Sequence, residues 1–183
     1  MAGSAVPASV VAELAAAAGE FLRLSPGAEG PLLARLAVTA IGLAERFCGQ
    51  AIVARTWEDV LPVSPDWRRL VGSPVTGIAG VTALPVDGAP FVLPVAAYAV
   101  DIDAGGDGWV RVASAGGARR VAVSYMAGLA ADWAAVPGPV AQGCVLLVAH
   151  LFEHRDGVAM PPAAVAALWR PYRRMQLGAG VHA

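Results

Sequence analysis

The sequence predicts an α+β chain, mainly a helical bundle, with a small antiparallel β insertion at about residues 51–126. Three observations lead there. Apolar residues recur at three- and four-residue steps near both ends of the chain. Between Ala51 and Gly128 that periodicity gives way to Pro, Gly, Val, Thr and aromatics in short runs. The order α–β–α makes the β-rich stretch an insertion between helices, so that residues 1–183 read as a single domain, a size that suits one core.

The first helix is expected at about 6–24, with Val6, Val10, Leu14, Ala17, Phe21 and Leu24 on one stripe and Ser25-Pro26-Gly27 as its stop. A second, at about 29–48, carries Leu32, Leu33, Leu36, Ala40, Leu43, Ala44 and Phe47 inward. Pro31 suits its first turn and Gly49 its end. Together they make an αα-hairpin. Strands follow at Ile52–Leu61 and near Arg68–Val71, Ile78–Leu84, Phe91–Leu93, Ala97–Ile102, Trp109–Val112 and Arg119–Met126, with Val86-Asp87-Gly88-Ala89 as a hairpin turn. A third helix is expected at about 137–155, opened by Pro137 and closed by Asp156-Gly157, with Val140, Cys144, Leu147, Val148, Leu151 and Phe152 as its stripe. Pro161-Pro162 opens a short last helix at about 162–169, which Pro171 stops, and Gly178 to Ala183 is expected to be disordered.

Composition excludes several chemistries. The chain has 13 Arg and no Lys, which removes a P-loop lysine, a Schiff-base amine and a pyridoxal anchor. A GC-rich coding sequence accounts for that bias. The apolar fraction is 57%, much of it Ala and Val, and excess apolar surface on a small chain is commonly hidden in an oligomer interface. The net charge of -1 makes the whole chain no polyanion binder, although no acid follows Asp156 and three Arg do. Cys48 and Cys144 read as small buried hydrophobes in a reducing compartment. The N-terminus lacks the basic region of a signal peptide, and no apolar run has the length of a membrane span.

His150-Leu151-Phe152-Glu153-His154 matches the inverted zincin string HxxEH, whose i, i+4 spacing puts both imidazoles on one helical face. That supports an alternative reading, a zinc-dependent hydrolase using His150, Glu153 and His154. The class needs a downstream acidic ligand, and the sole acid after His154 is the adjacent Asp156. A helix C-terminal turn whose basic groups offset the dipole is the plainer reading. Asp101 to Asp107 begins like a calcium loop but fails at its fifth and twelfth positions, Gly105 and Val112, and reads as a hairpin connection. No glycine motif supports a dinucleotide, and neither Ser114 nor Ser124 sits in a nucleophile elbow. The chain is therefore assigned no catalytic residue, no cofactor and no metal, and is expected not to be an enzyme. Trp169-Arg170-Pro171-Tyr172-Arg173-Arg174 interleaves aromatics with arginines, a composition that anchors a protein partner or tracks nucleic acid. A last turn packing Trp169 and Tyr172 on the core is the bland alternative.

Five segments in order along the chain, Val11 to Leu24, Glu45 to Ile52 with Thr56-Trp57-Glu58, Val121 to Gly128, Val136 to Arg155 and Pro161 to Arg173, together resemble the head–tail connector (adaptor) proteins of long-tailed phages. Val11-Ala12-Glu13-Leu14 and Glu20-Phe21-Leu22-Arg23-Leu24 are similar to that family's opening helix. Glu45-Arg46-Phe47-Cys48-Gly49-Gln50-Ala51-Ile52 with Thr56-Trp57-Glu58 resembles its helix-to-strand junction. Val121-Ala122-Val123-Ser124-Tyr125-Met126-Ala127-Gly128 resembles its last strand. Val136-Pro137 with Leu146 to Arg155 resembles its long helix, although that family commonly has Asn or Asp where His154 stands. Pro161 to Arg173 resembles its closing segment. The composition also fits a phage-like gene transfer agent.

The resemblance implies a homo-oligomeric ring of twelve copies in the neck of such a particle, assembled in the bacterial cytoplasm. It implies portal protein on one face and a stopper or tail-completion protein on the other, with DNA passing through the channel without sequence-specific binding and no membrane contact. Residues 161–183 become the portal-contacting segment, with Trp169, Arg170, Tyr172, Arg173 and Arg174 as the contacts. The β-rich insertion is placed at 51–128.

Overall fold

The structure, a computed structural model, describes residues 2–25, 27, 29–154 and 162–174. Helices take up 38% of these residues and strands 26%, in two antiparallel sheets, so the expected mainly helical bundle is corrected to a chain in which sheet and helix carry comparable weight. The central pairings, Trp57 with Tyr125 and Val81 with Val123, join strands remote in sequence, so neither strand announces the sheet it joins. The chain divides into two compact units, one of residues 1–5 and 53–131, the other of residues 6–52 and 132–183.

In the helical unit, α1 (Ala8–Phe21) begins after Pro7 and buries Val10, Leu14, Ala15 and Ala18. It ends three residues short of the expected Leu24, because Arg23 turns into the left-handed region at φ 56°. Phe21, placed on the buried stripe by its spacing, is 52% exposed. The second helix, α2 (Gly30–Cys48), buries Leu33, Ala37, Ala40, Ile41, Ala44 and Cys48, while Leu43 faces outward. Both helices thus pack through small residues, which let backbones approach closely. Gly49 caps α2 in the left-handed conformation (φ 68°), its N–H donating to Glu45 O at 2.8 Å, and Arg46 lies in the last turn. The side chain of Glu45 accepts the Ile52 N–H at 3.0 Å and so fixes the chain as it leaves the helix.

Helix α3 (Gly138–Glu153) starts one residue after the expected Pro137, which is its N-cap, and Pro139 occupies the first turn. It packs on α1 and α2 and buries Val140, Gly143, Cys144, Leu147 and Val148. The short helix α4 (Ala163–Trp169) packs on α3 and continues as a single 3-10 turn, Arg170–Tyr172. The expected stops at Pro26 and at Asp156-Gly157, the expected helix opening at Pro161, and the end from Gly178 to Ala183 expected to be disordered lie outside the described residues. Among the described residues no helix is long and apolar enough to cross a membrane.

In the β-rich unit the larger sheet joins β1 (Ala2–Gly3), β2 (Arg55–Pro62), β4 (Val75–Leu84), β5 (Phe91–Val92) and β8 (Arg120–Ala127) in the order β1-β2-β8-β4-β5. The smaller joins β3 (Arg68–Arg69), β6 (Tyr98–Ile102) and β7 (Gly108–Val112) in the order β3-β7-β6. β8 is the centre, paired along its length with β2 (Trp57↔Tyr125, Asp59↔Val123) and with β4 (Val81↔Val123). Its near-continuous burial explains the apolar run Val121-Ala122-Val123. One core, built from Val81, Val121, Val123 and Tyr125 of the larger sheet with Leu70, Val110 and Val112 beside the smaller, lies between the two. β1 had no sequence signal. It pairs Gly3 with Trp57, and a side chain at Gly3 would come within 3.0 Å of the indole.

Candidate functional site

The arginine-rich segment after α4 is held by contacts that its sequence only partly discloses. The indole of Trp169 is 3% exposed, its Nε1–H donates to Val140 O at 3.2 Å, and its ring meets Phe47 at 5.9 Å between centroids, tilted by 54°. Gly143 faces the indole, and a Cβ there would overlap Nε1. Trp169 is thus a core residue that fastens the segment to α3 and α2. Two more bonds tie the chain beyond it. Gln50 Nε2–H donates to Tyr172 O at 2.8 Å, and Arg174 N–H donates to Cys48 O at 2.8 Å. The backbone from 169 to 174 is therefore a built feature of the unit, which an arginine-rich composition alone does not reveal.

This fastening sorts the five residues assigned as portal contacts. Arg170 and Arg173 are exposed, Tyr172 and Arg174 half-buried, and Trp169 turned inward. The Arg173 guanidinium lies 5.9 Å from the Phe47 ring centroid. Beside them an apolar groove of about 530 Å³ opens between α2, α3 and α4, lined by Leu43, Phe47, Leu147, Val165 and Ala166, with Arg46 as its one charged lining residue.

The HxxEH string straddles the end of α3. His150 and His154 stack face to face, centroids 4.4 Å apart at 29°, and His154 Nδ1 lies 3.0 Å from the His150 carbonyl. Among the described residues no three His, Cys, Asp or Glu side chains converge as a metal site would require. The acidic loop at Asp101 to Asp107 joins β6 to β7 as a hairpin. Asp103 accepts from the Asp107 N–H at 2.9 Å and from Trp109 Nε1–H at 3.0 Å, and Asp107 pairs with Arg69 at 2.9 Å. These carboxylates close the turn and brace it on the smaller sheet.

One polar cluster was not foreseen. Asp59 is 2% exposed, and its Oδ2 accepts from Val71 N–H at 2.7 Å and from Tyr125 O–H at 2.9 Å, while Tyr125 Oη accepts from Gly72 N–H at 2.8 Å. Burial pushes the Tyr125 hydroxyl well above its usual range, and the Asp59 bond holds it protonated. The cluster stitches residues 71 and 72 onto the centre of the larger sheet. Its bonds hold backbone N–H groups or its own members, which marks it as structural.

No family model and no curated protein matches the chain. Solved structures do. The neck of an empty gene transfer agent particle, computed with sixfold symmetry, contains a chain of TM-score 0.77 and 25% identity, with 98% of this chain and 99% of that one covered. A chain in the virion of a native gene transfer agent particle has TM-score 0.73 and 25% identity, covering 97% and 96%. A chain in the neck of a native particle, computed with twelvefold symmetry, has TM-score 0.73 and 24% identity, covering 98% and 99%. The resemblance to head–tail connector proteins, read from the order of sequence segments, thus holds in three dimensions: the chain shares, almost end to end, the fold of chains in the necks of gene transfer agent particles.

Proposed function

We propose that this chain is a structural subunit of the neck that joins the DNA-filled head of a tailed phage or gene transfer agent to its tail. In this reading twelve copies close into a ring between the portal and a stopper or tail-completion protein, and DNA passes through the central channel without sequence-specific contact. The chain performs no catalysis, and it assembles in the bacterial cytoplasm. The observation that carries the reading is the end-to-end likeness to a neck chain, with 98% of this chain and 99% of that one superposed. Support for a ring comes from the sixfold and twelvefold symmetries of the neighbours' particles. A net charge of -1 suits a channel wall, because a strongly basic wall would grip the phosphates.

The closing segment is the portal contact in this reading. Arg170 and Arg173 meet the portal directly, Tyr172 and Arg174 flank them, and the buried Trp169 sets their position. Reversing both exposed charges, Arg170→Glu with Arg173→Glu, should leave the thermal unfolding midpoint unchanged while abolishing co-purification with portal-bearing heads. Undiminished binding of the double variant would remove this segment from the interface. Cutting the chain after Leu168 is the poorer test, since it also removes the indole from the core.

A further inference from the structure

From Pro85 to Ala97 the sequence runs Pro-Val-Asp-Gly-Ala-Pro-Phe-Val-Leu-Pro-Val-Ala-Ala, with Asp87 its one charged residue. This stretch joins β4 to β5 and continues past β5, and only Leu93 within it is buried. Val86 is 86% exposed, Val92 75% and Val95 78%. Its base is nevertheless fixed. Leu93 N–H donates to Val81 O at 2.9 Å, and the Phe91 ring lies against Gly116, where a Cβ would come within 3.0 Å. The result is a shaped apolar finger held out into solvent by a strand pair of two residues, Thr82↔Val92 and Ala83↔Phe91. Exposed large apolar side chains gathered in one stretch point to an interaction site.

The helical unit carries a feature of matching chemistry. The groove between α2, α3 and α4 has an apolar lining, and Arg46 is the one charge on it. Among the described residues neither Asp87 nor Arg46 has an ionic partner. One finger with one negative charge therefore answers one groove with one positive charge, both on the same chain. Rings close through heterologous contacts, which need two different complementary faces on each copy. We infer that the β4–β5 finger of one copy seats in the α2–α3–α4 groove of the next, with Val86 and Val92 against Leu43, Phe47 and Val165 and with Asp87 paired to Arg46. The inference rests on the ring reading and names the contact that closes the ring.

The test uses particles assembled with charge-altered chains. Asp87→Arg or Arg46→Asp alone places like charges together at every joint, and should cut incorporation into necks about tenfold or more. The swap of both should restore it. In particles carrying Val86→Cys with Leu43→Cys, a short bifunctional maleimide should give a ladder of covalent multimers of this chain, which neither single variant gives. The native thiols do not interfere, because Cys48 and Cys144 are buried.

Intact rings with no ladder and no effect of either charge reversal would overturn the inference and leave the ring reading standing. Crosslinks from residue 86 to another neck component would likewise overturn it. Absence of any ring from the unaltered chain would defeat the ring reading first, and the inference with it.

Discussion

Tyr125 and Asp59 sit where the larger sheet can least tolerate a missing partner. The phenol oxygen both accepts the Gly72 N–H and donates to Asp59, so removing it orphans a buried donor and weakens a buried carboxylate. Tyr125→Phe should lower stability by about 2–3 kcal/mol, read as a shift in the denaturation midpoint at neutral pH. Burial also pushes the Cys48 thiol up to about 11 and the Cys144 thiol up to about 12, with nearby Glu45 adding to the first and Cys48 to the second. In the unfolded chain thiols ionise near 9.0, so their protonation favours the native state fully below that pH, and the advantage is lost as pH rises toward 11 and 12. The denaturation midpoint should fall above pH 9, and less steeply in a variant with both cysteines changed to alanine. At pH 8 a thiol reagent should label neither cysteine until the chain is unfolded. The sequence already disclosed these buried thiols, since each lies in an apolar helical context. It did not single out Trp169 as core, because an indole followed by arginines reads equally as an anchor for a partner, and the space opened by Gly143 decides the matter.

Among the elements, the strands were legible where turn residues bracket them, and β6, β7 and β8 fall within two residues of their expected bounds. β1 was not legible, since two small residues have no periodicity and their place is set by Trp57. The helices were found, but their buried faces were misjudged by weighting large side chains. Ala40 and Ala44 lie inward as expected, but Phe21 and Leu43 are exposed while Ala15, Ala18 and Ala37, outside the expected stripes, are buried, because close helix approach selects for small volume rather than for hydrophobicity alone. The same logic governs α3 against α4. Gly143→Ala should force the Trp169 indole from its bond to Val140, at about 1–3 kcal/mol. Tryptophan fluorescence should report the displaced ring, and an unchanged midpoint would show that α4 adjusts freely.

For the molecule as a whole, the reading as mainly helical failed because strand pairing is a long-range property. β2 and β8 lie more than fifty residues apart in sequence, yet their pairing makes the β-rich unit a compact body with a core of its own. The order of segments fared better than the fold class, because it records architecture that no one motif carries. The HxxEH string illustrates the converse. Its spacing alone does not fix its chemistry, and its two imidazoles stack at the end of α3. What a composition rich in Ala and Val, an exposed finger and an open apolar groove have in common is surface that a lone chain leaves unburied. Electron microscopy of particles containing this chain, reconstructed without imposed symmetry, tests that view most directly. The account predicts a closed ring of identical copies of this fold around a central channel between head and tail. A neck that lacks the chain, or holds it as a single copy off the axis, would contradict it.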